Sequence, residues 1–167
     1  MEIIYFINDE EQILKVEPRP LTTELRIRIS NHDVKAQKDY KKFAKSNLNS
    51  TVAAKDIAIS NEIEKMIAAQ LASNPELSAE ELQNLRESYY STAATFYDDE
   101  DIEERERLRM AHINFFTHKQ FDLFKLLLRK NKLSETEQSY IDSDYDSEFW
   151  TNIDERGVKL FNSKFRG

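Results

Sequence analysis

Residues 108–133 hold the densest run of apolar side chains in the sequence, and their spacing predicts one long buried helix. Met110, Ile113, Thr117, Phe121, Phe124 and Leu128 advance by three or four positions, so they share a helical face. Phe116, Leu123 and Leu127 widen that face beyond a narrow coiled-coil seam. The stretch carries four phenylalanines and six leucines, each able to contribute roughly 1.5–3 kcal/mol on full burial. The rest of the chain has to supply surfaces that cover this segment.

Ahead of it, residues 2–7 and 12–17 read as two strands joined by the loop Asn8-Asp9-Glu10-Glu11. Pro18-Arg19-Pro20 interrupts regular structure. Residues 24–29 alternate, with Leu25, Ile27 and Ile29 against Glu24, Arg26 and Arg28, which predicts a third, half-buried strand. From Asp33 the pattern turns helical. Segments 33–47 and 52–72 are separated by Asn47–Thr51, and Asn74-Pro75 stops the second.

Ser78-Ala79-Glu80-Glu81 is a capping box that starts a helix to about Phe96, with Leu82, Leu85, Tyr89 and Phe96 as its apolar side. Thr117-His118-Lys119-Gln120 matches a second box and predicts a break in the central helix. Ser134-Glu135-Thr136-Glu137 is a third and opens a helix to about Ile141. In the tail, Phe149 and Ile153 share one helical face and Val158, Phe161 and Phe165 another. Gly157 between them suits a C-cap. The expectation is an α+β fold: a small N-terminal antiparallel sheet of about three strands, then five to six helices. Organisation is read as a single domain over 1–167, with a β-meander at 1–31, a helical body at 33–141 and an acidic loop and aromatic tail at 142–167.

Composition removes whole classes of chemistry. There is no cysteine, hence no disulfide, thiolate metal site or cysteine nucleophile. The two glycines are Gly157 and Gly167, so the glycine-dependent phosphate loops, dinucleotide turns and nucleophile elbows have no place in residues 1–156. Residues 1–30 lack a signal-peptide pattern, and no apolar run approaches the ~20 residues of a membrane span. The formal charge is −7, all of it from residues 66–167, where twenty acidic side chains meet thirteen basic ones. That balance opposes direct binding of duplex nucleic acid.

Three groups remain as candidate sites. Asp98, Asp99, Glu100 and Asp101, with Asp142, Asp144 and Asp146, form an acidic surface suited to the basic groove of another protein. The second acidic run begins like a calcium loop, but Ser147 stands in place of the turn glycine and Ile153 in place of the bidentate glutamate. It reads as a solvated linker. Lys35, Lys38, Lys41, Lys42 and Lys45 make a basic patch on a helix. Phe149, Trp150, Ile153, Phe161 and Phe165 are candidate anchors for a partner. His112 and His118, six apart, do not share the face that two helical metal ligands need.

No nucleophile–base arrangement, cofactor motif or metal motif emerges. The sequence therefore points to a non-enzymatic protein that acts by contact with other chains, the same or different, without a cofactor. Its composition suits an assembly component, in the cytoplasm or within a virion. An acidic inhibitor that imitates nucleic acid is the alternative, and an unfamiliar enzyme ranks third.

Overall fold

The computed structural model describes residues 1–167, the side chain of Leu48 excepted. The chain divides into two compact units, one of Met1–Asp39 with His112–Gly167 and the other of Tyr40–Ala111.

The first unit begins with an antiparallel hairpin, β1 (Glu2–Ile7) and β2 (Glu10–Lys15), in the register Ile3↔Leu14 and Ile7↔Glu10. The connection is two residues, shorter than the four-residue loop expected. Asn8 (φ 52°) and Asp9 (φ 61°) both take the left-handed conformation, which their short polar side chains tolerate better than most. Ile3, Tyr5, Leu14 and Val16 point inward, while Ile4, Phe6 and Ile13 lie on the outer side.

The third strand is not formed. Residues 24–29 open α1 (Thr23–Leu48), whose start is capped by the Thr22 hydroxyl accepting from the Leu25 N–H at 3.2 Å. Leu25 and Ile29, four apart, are buried on one helical face, and Ile27 is 56% exposed. Over six residues, a spacing of four contains a spacing of two, so alternation alone did not distinguish strand from helix. The described residues therefore contain two strands and seven helices.

The C-terminal part of α4 (Asp99–Leu127) runs through this unit without a break. Thr117, expected to cap a new helix, is instead buried inside α4. Phe121, Leu123, Phe124, Leu127 and Leu128 are buried as expected, but Met110, Ile113 and Phe116 stay more than 40% exposed. The covering contacts fall on the later turns: Phe121 meets Trp150 at 4.5 Å between ring centroids and Phe124 meets Phe161 at 5.2 Å. Past α4, the 127–129 backbone pairs with the chain leaving β2. The Arg19 N–H donates to the Leu127 carbonyl at 2.7 Å and the Arg129 N–H to the Glu17 carbonyl at 2.9 Å.

Three short helices complete the unit: α5 (Glu135–Ile141), α6 (Glu148–Thr151) and α7 (Glu155–Phe165). Both halves of the expected Ser134–Glu137 capping box are present. Gly157 is not a C-cap; it lies in the first turn of α7, which Asp154 caps. A Cβ there would stand 2.8 Å from the Asp154 carboxylate and 3.5 Å from Ile3, so glycine permits a tight turn against β1. The Asp154 N–H donates to the Ile4 carbonyl at 2.8 Å, and Asn162 donates to the Gln120 carbonyl at 2.8 Å, tying α7 to β1 and α4.

The second unit is helical. It holds the last part of α1, α2 (Thr51–Ser73), α3 (Ala79–Ala93) with a 3-10 turn at Ala94–Phe96, and the first part of α4. Ser50 caps α2, Asn74 ends it, and Ser78 with Glu81 completes the predicted box on α3. Asp98 and Asp101 each accept from the other's backbone N–H, at 2.9 and 3.0 Å respectively, to start α4. No helix among the described residues is long and apolar enough to cross a membrane.

Candidate interaction surfaces

Four of the five tail anchors are core. Phe149, Trp150 and Phe161 are at most 1% exposed and Ile153 is 6% exposed, while Phe165 packs at the edge against Phe161. Phe149 stands edge-on to Tyr5 at 5.0 Å and to Trp150 at 5.0 Å, so the tail closes over the hairpin and α4. The aromatic payload noticed in the sequence stabilises this unit from within.

The two acidic runs lie in different units. Asp98, Asp99 and Glu100 are exposed, but Asp101 bonds to the Lys55 ammonium, which together with the Asp98 backbone holds its carboxyl below the usual aspartate range. Glu104 accepts from the Thr51 hydroxyl at 2.9 Å, and Arg109 bonds Glu106 through two nitrogens. Asp56 accepts from Tyr97 and from Arg105, which also lies 4.5 Å from the Tyr97 ring. Burial and the neighbouring Asp56 raise the Tyr97 hydroxyl above the ordinary tyrosine value. Much of this charge is therefore matched inside the unit.

In the other unit, Asp142 pairs with Lys130 at 2.6 Å, while Asp144 and Asp146 are exposed. Ser147 takes the N-cap position of α6 without a capping hydrogen bond from its side chain. Among the described residues no three His, Asp or Glu side chains are grouped to hold a metal ion. His112 and His118 pack against aromatic rings, at 4.9 Å from Phe116 and 4.9 Å from Tyr145. Lys35, Lys38, Lys41, Lys42 and Lys45 are exposed along α1, the first two in one unit and the last three in the other.

The surface that the sequence did not single out belongs to α2, α3, the turn at Ala94–Phe96 and the start of α4. Among the described residues Val52, Ile63, Ile67 and Ala93 are the buried apolar ones of the second unit, a small core for so many helical turns. Around it, Phe96 is 64% exposed and Ile102 59%, with Met66 and Tyr90 also exposed. Ile59, Met66, Tyr89 and Phe96 help to line an apolar cleft of about 310 Å³. A neighbouring cleft of about 730 Å³ shares Ile59 and adds Tyr90, Tyr97 and Ile102. The helical spacing of Tyr89 and Phe96 was legible; their exposure was not, because periodicity marks a face without saying what covers it.

No family model matches the chain, and the searches of curated proteins and of solved structures return no match either.

Proposed function

We propose that the chain is a non-enzymatic assembly component that binds another protein chain through the apolar face formed by α2, α3, the turn at Ala94–Phe96 and the start of α4. One observation carries this reading: the second unit leaves Phe96, Ile102, Met66 and Tyr90 exposed around two adjoining clefts. Contiguous apolar surface of this kind, rimmed by charged groups such as Glu62 and Arg105, is the usual mark of a protein-binding face. A cleft of about 310 Å³ suits a large apolar side chain from a partner, the arrangement in which a few anchors dominate binding. The setting, a multi-chain particle such as a virion, rests on composition alone.

The geometry favours this face over nucleic-acid mimicry. A mimic needs free negative charge in a regular array. Asp101 and Asp142 of the candidate residues are instead engaged by Lys55 and Lys130, and the two acidic runs belong to different units.

Sedimentation of the purified chain, followed by co-purification from its native source, tests the proposal. Phe96→Glu and Met66→Glu should each strip the bound chain, whether a second copy or a different protein. Ile27→Glu, at an exposed position in the other unit, should leave it in place. A partner retained by both glutamate variants, or no partner at all, overturns the reading.

A further inference from the structure

The acidic balance of the sequence hides a local reversal of charge. The backbone pairing of 17–19 with 127–129 brings Arg19 and Arg129, residues far apart in sequence, to the wall of one cleft. Together with Arg28 from α1, Lys125 from the last turn of α4, and Lys130, they line a cleft of about 500 Å³ in the first unit. Its described walls contain no carboxylate; Pro20, Leu126 and Leu128 supply apolar surface and Asn131 an amide. A second cleft of about 460 Å³ shares Arg28 and Leu126 and adds Lys35, Lys119 and His32. Its single acid, Asp122, already accepts the Tyr145 hydroxyl.

In the second cleft Lys119 pairs with Asp39 at 2.8 Å and His32 lies 3.5 Å from Asp33, whereas counter-charges in the first are fewer. Lys130 pairs with Asp142 at 2.6 Å, and Glu17 stands 3.8 Å from Arg129. Arg19 donates a long 3.4 Å bond to the Leu126 carbonyl, and neither it, Arg28 nor Lys125 has an ion pair among the described residues. Lys125 sits over the rings of Tyr145 and Trp150, at 4.4 and 5.2 Å. Burial there holds its ammonium below the ordinary lysine value, and Asp122, Asp142 and Asp144 offset part of that shift. Cations outnumber carboxylates around the first cleft, so they repel one another, and an anion seated among them removes that repulsion.

We infer that these two clefts form a binding site for a small anion bearing more than one phosphate group. Three guanidinium groups offer the paired donors that fit phosphate oxygens bidentately. Two cationic clefts sharing the Arg28 wall match two phosphate groups of one ligand, and their size suits a small molecule. A long polyanion fits poorly. The described walls carry no Phe, Tyr or Trp, His32 being their one aromatic ring, and a chain of net charge −7 repels an extended phosphate array. A small anion, within a Debye length of about 8 Å, responds chiefly to the local cations.

Inorganic tripolyphosphate is the probe, titrated into the full chain by calorimetry and by the emission of Trp150, the single tryptophan, which Lys125 overlies. The expected result is saturable binding that weakens with added salt. Arg28→Ala and Arg129→Ala should each weaken it about tenfold or more, the scale of a lost charge-assisted pair. Lys159→Ala, at an exposed position outside both clefts, should not change it. Vesicles containing phosphoinositide distinguish the source: binding with the same arginine dependence assigns the site to a lipid headgroup, and absence of vesicle binding assigns it to a free ligand. Failure of tripolyphosphate to saturate at about 1 mM or below, binding indifferent to both arginine variants, or tighter binding of duplex DNA overturns the inference.

Discussion

The two units are built from similar helical material and are held together differently. In the first, the hairpin, α5, α6 and α7 enclose the late turns of α4, and Phe121, Phe124, Phe149, Trp150 and Phe161 meet as one aromatic cluster. In the second, Ile63, Ile67 and Ala93 form a small cluster, and polar contacts do much of the joining. Arg86 bonds both oxygens of Glu64 at 3.1 and 3.2 Å, Lys55 reaches Asp101, and Thr51 reaches Glu104. Exposed ion pairs contribute little each, so the second unit draws less of its stability from within. The lesson is that helical periodicity alone does not say how much of a helix is covered. Where other elements close over it, the apolar face becomes core; where they do not, the same face is free for another chain.

The largest expected effect contrasts a residue at each end of that range. Phe124 is fully buried, so Phe124→Ala should destabilise the fold by about 3–5 kcal/mol in denaturant unfolding followed by Trp150 emission. Phe96→Ala, at a residue 64% exposed, should change stability by no more than about 0.5 kcal/mol in the same measurement. Equal effects from the two would erase the distinction between the units.

A smaller effect should come from Tyr145. Burial first, then its hydrogen bond to the Asp122 carboxylate, pushes its hydroxyl far above the ordinary tyrosine value. A pKa raised by folding means that the protonated form is favoured in the native state. Its contribution is fully present below about pH 10, the ordinary tyrosine value, and is lost as pH rises from there toward the folded pKa. Tyr145→Phe should lower stability at neutral pH by about 1.5–3 kcal/mol, as expected for a hydrogen bond to a charged group. It should also flatten the alkaline decline in thermal unfolding. An alkaline limb unchanged by the substitution would place the titrating group elsewhere.

The finest test uses two helix starts of the same chemistry. Ser134 and Ser78 make the same reciprocal box, one in each unit. Ser134→Ala and Ser78→Ala should each remove about 1 kcal/mol from the helix that follows. Hydrogen exchange should register that loss across α3 for Ser78→Ala, and around α5 within a more protected core for Ser134→Ala. Equal protection of both helices in the unaltered chain would show that the small core of the second unit suffices.

What the sequence determined by itself is the part of the structure that local chemistry decides. The two serine boxes, the stop at Asn74-Pro75, the interruption near Asn49 and Ser50 and the helix ending at Ile141 all follow from hydrogen bonds and steric limits within about four residues. The helical face of the 108–133 stripe was legible from its spacing, but which half of it is buried was not. Tertiary structure decided what such rules leave open. Residues 24–29 became a helix because Leu25 and Ile29 found a core four residues apart, and Thr117 was drawn into that core instead of capping a helix. Gly157 was placed by the close approach of α7 to β1, and the tail aromatics by the hairpin and α4 that receive them. The cationic cleft was the least legible feature. Arg19, Arg28 and Arg129 have no common spacing, and the backbone pairing around Pro18 and Leu128 brings them to one place. Local rules act between neighbours in the chain, whereas a binding surface collects residues that only folding makes neighbours.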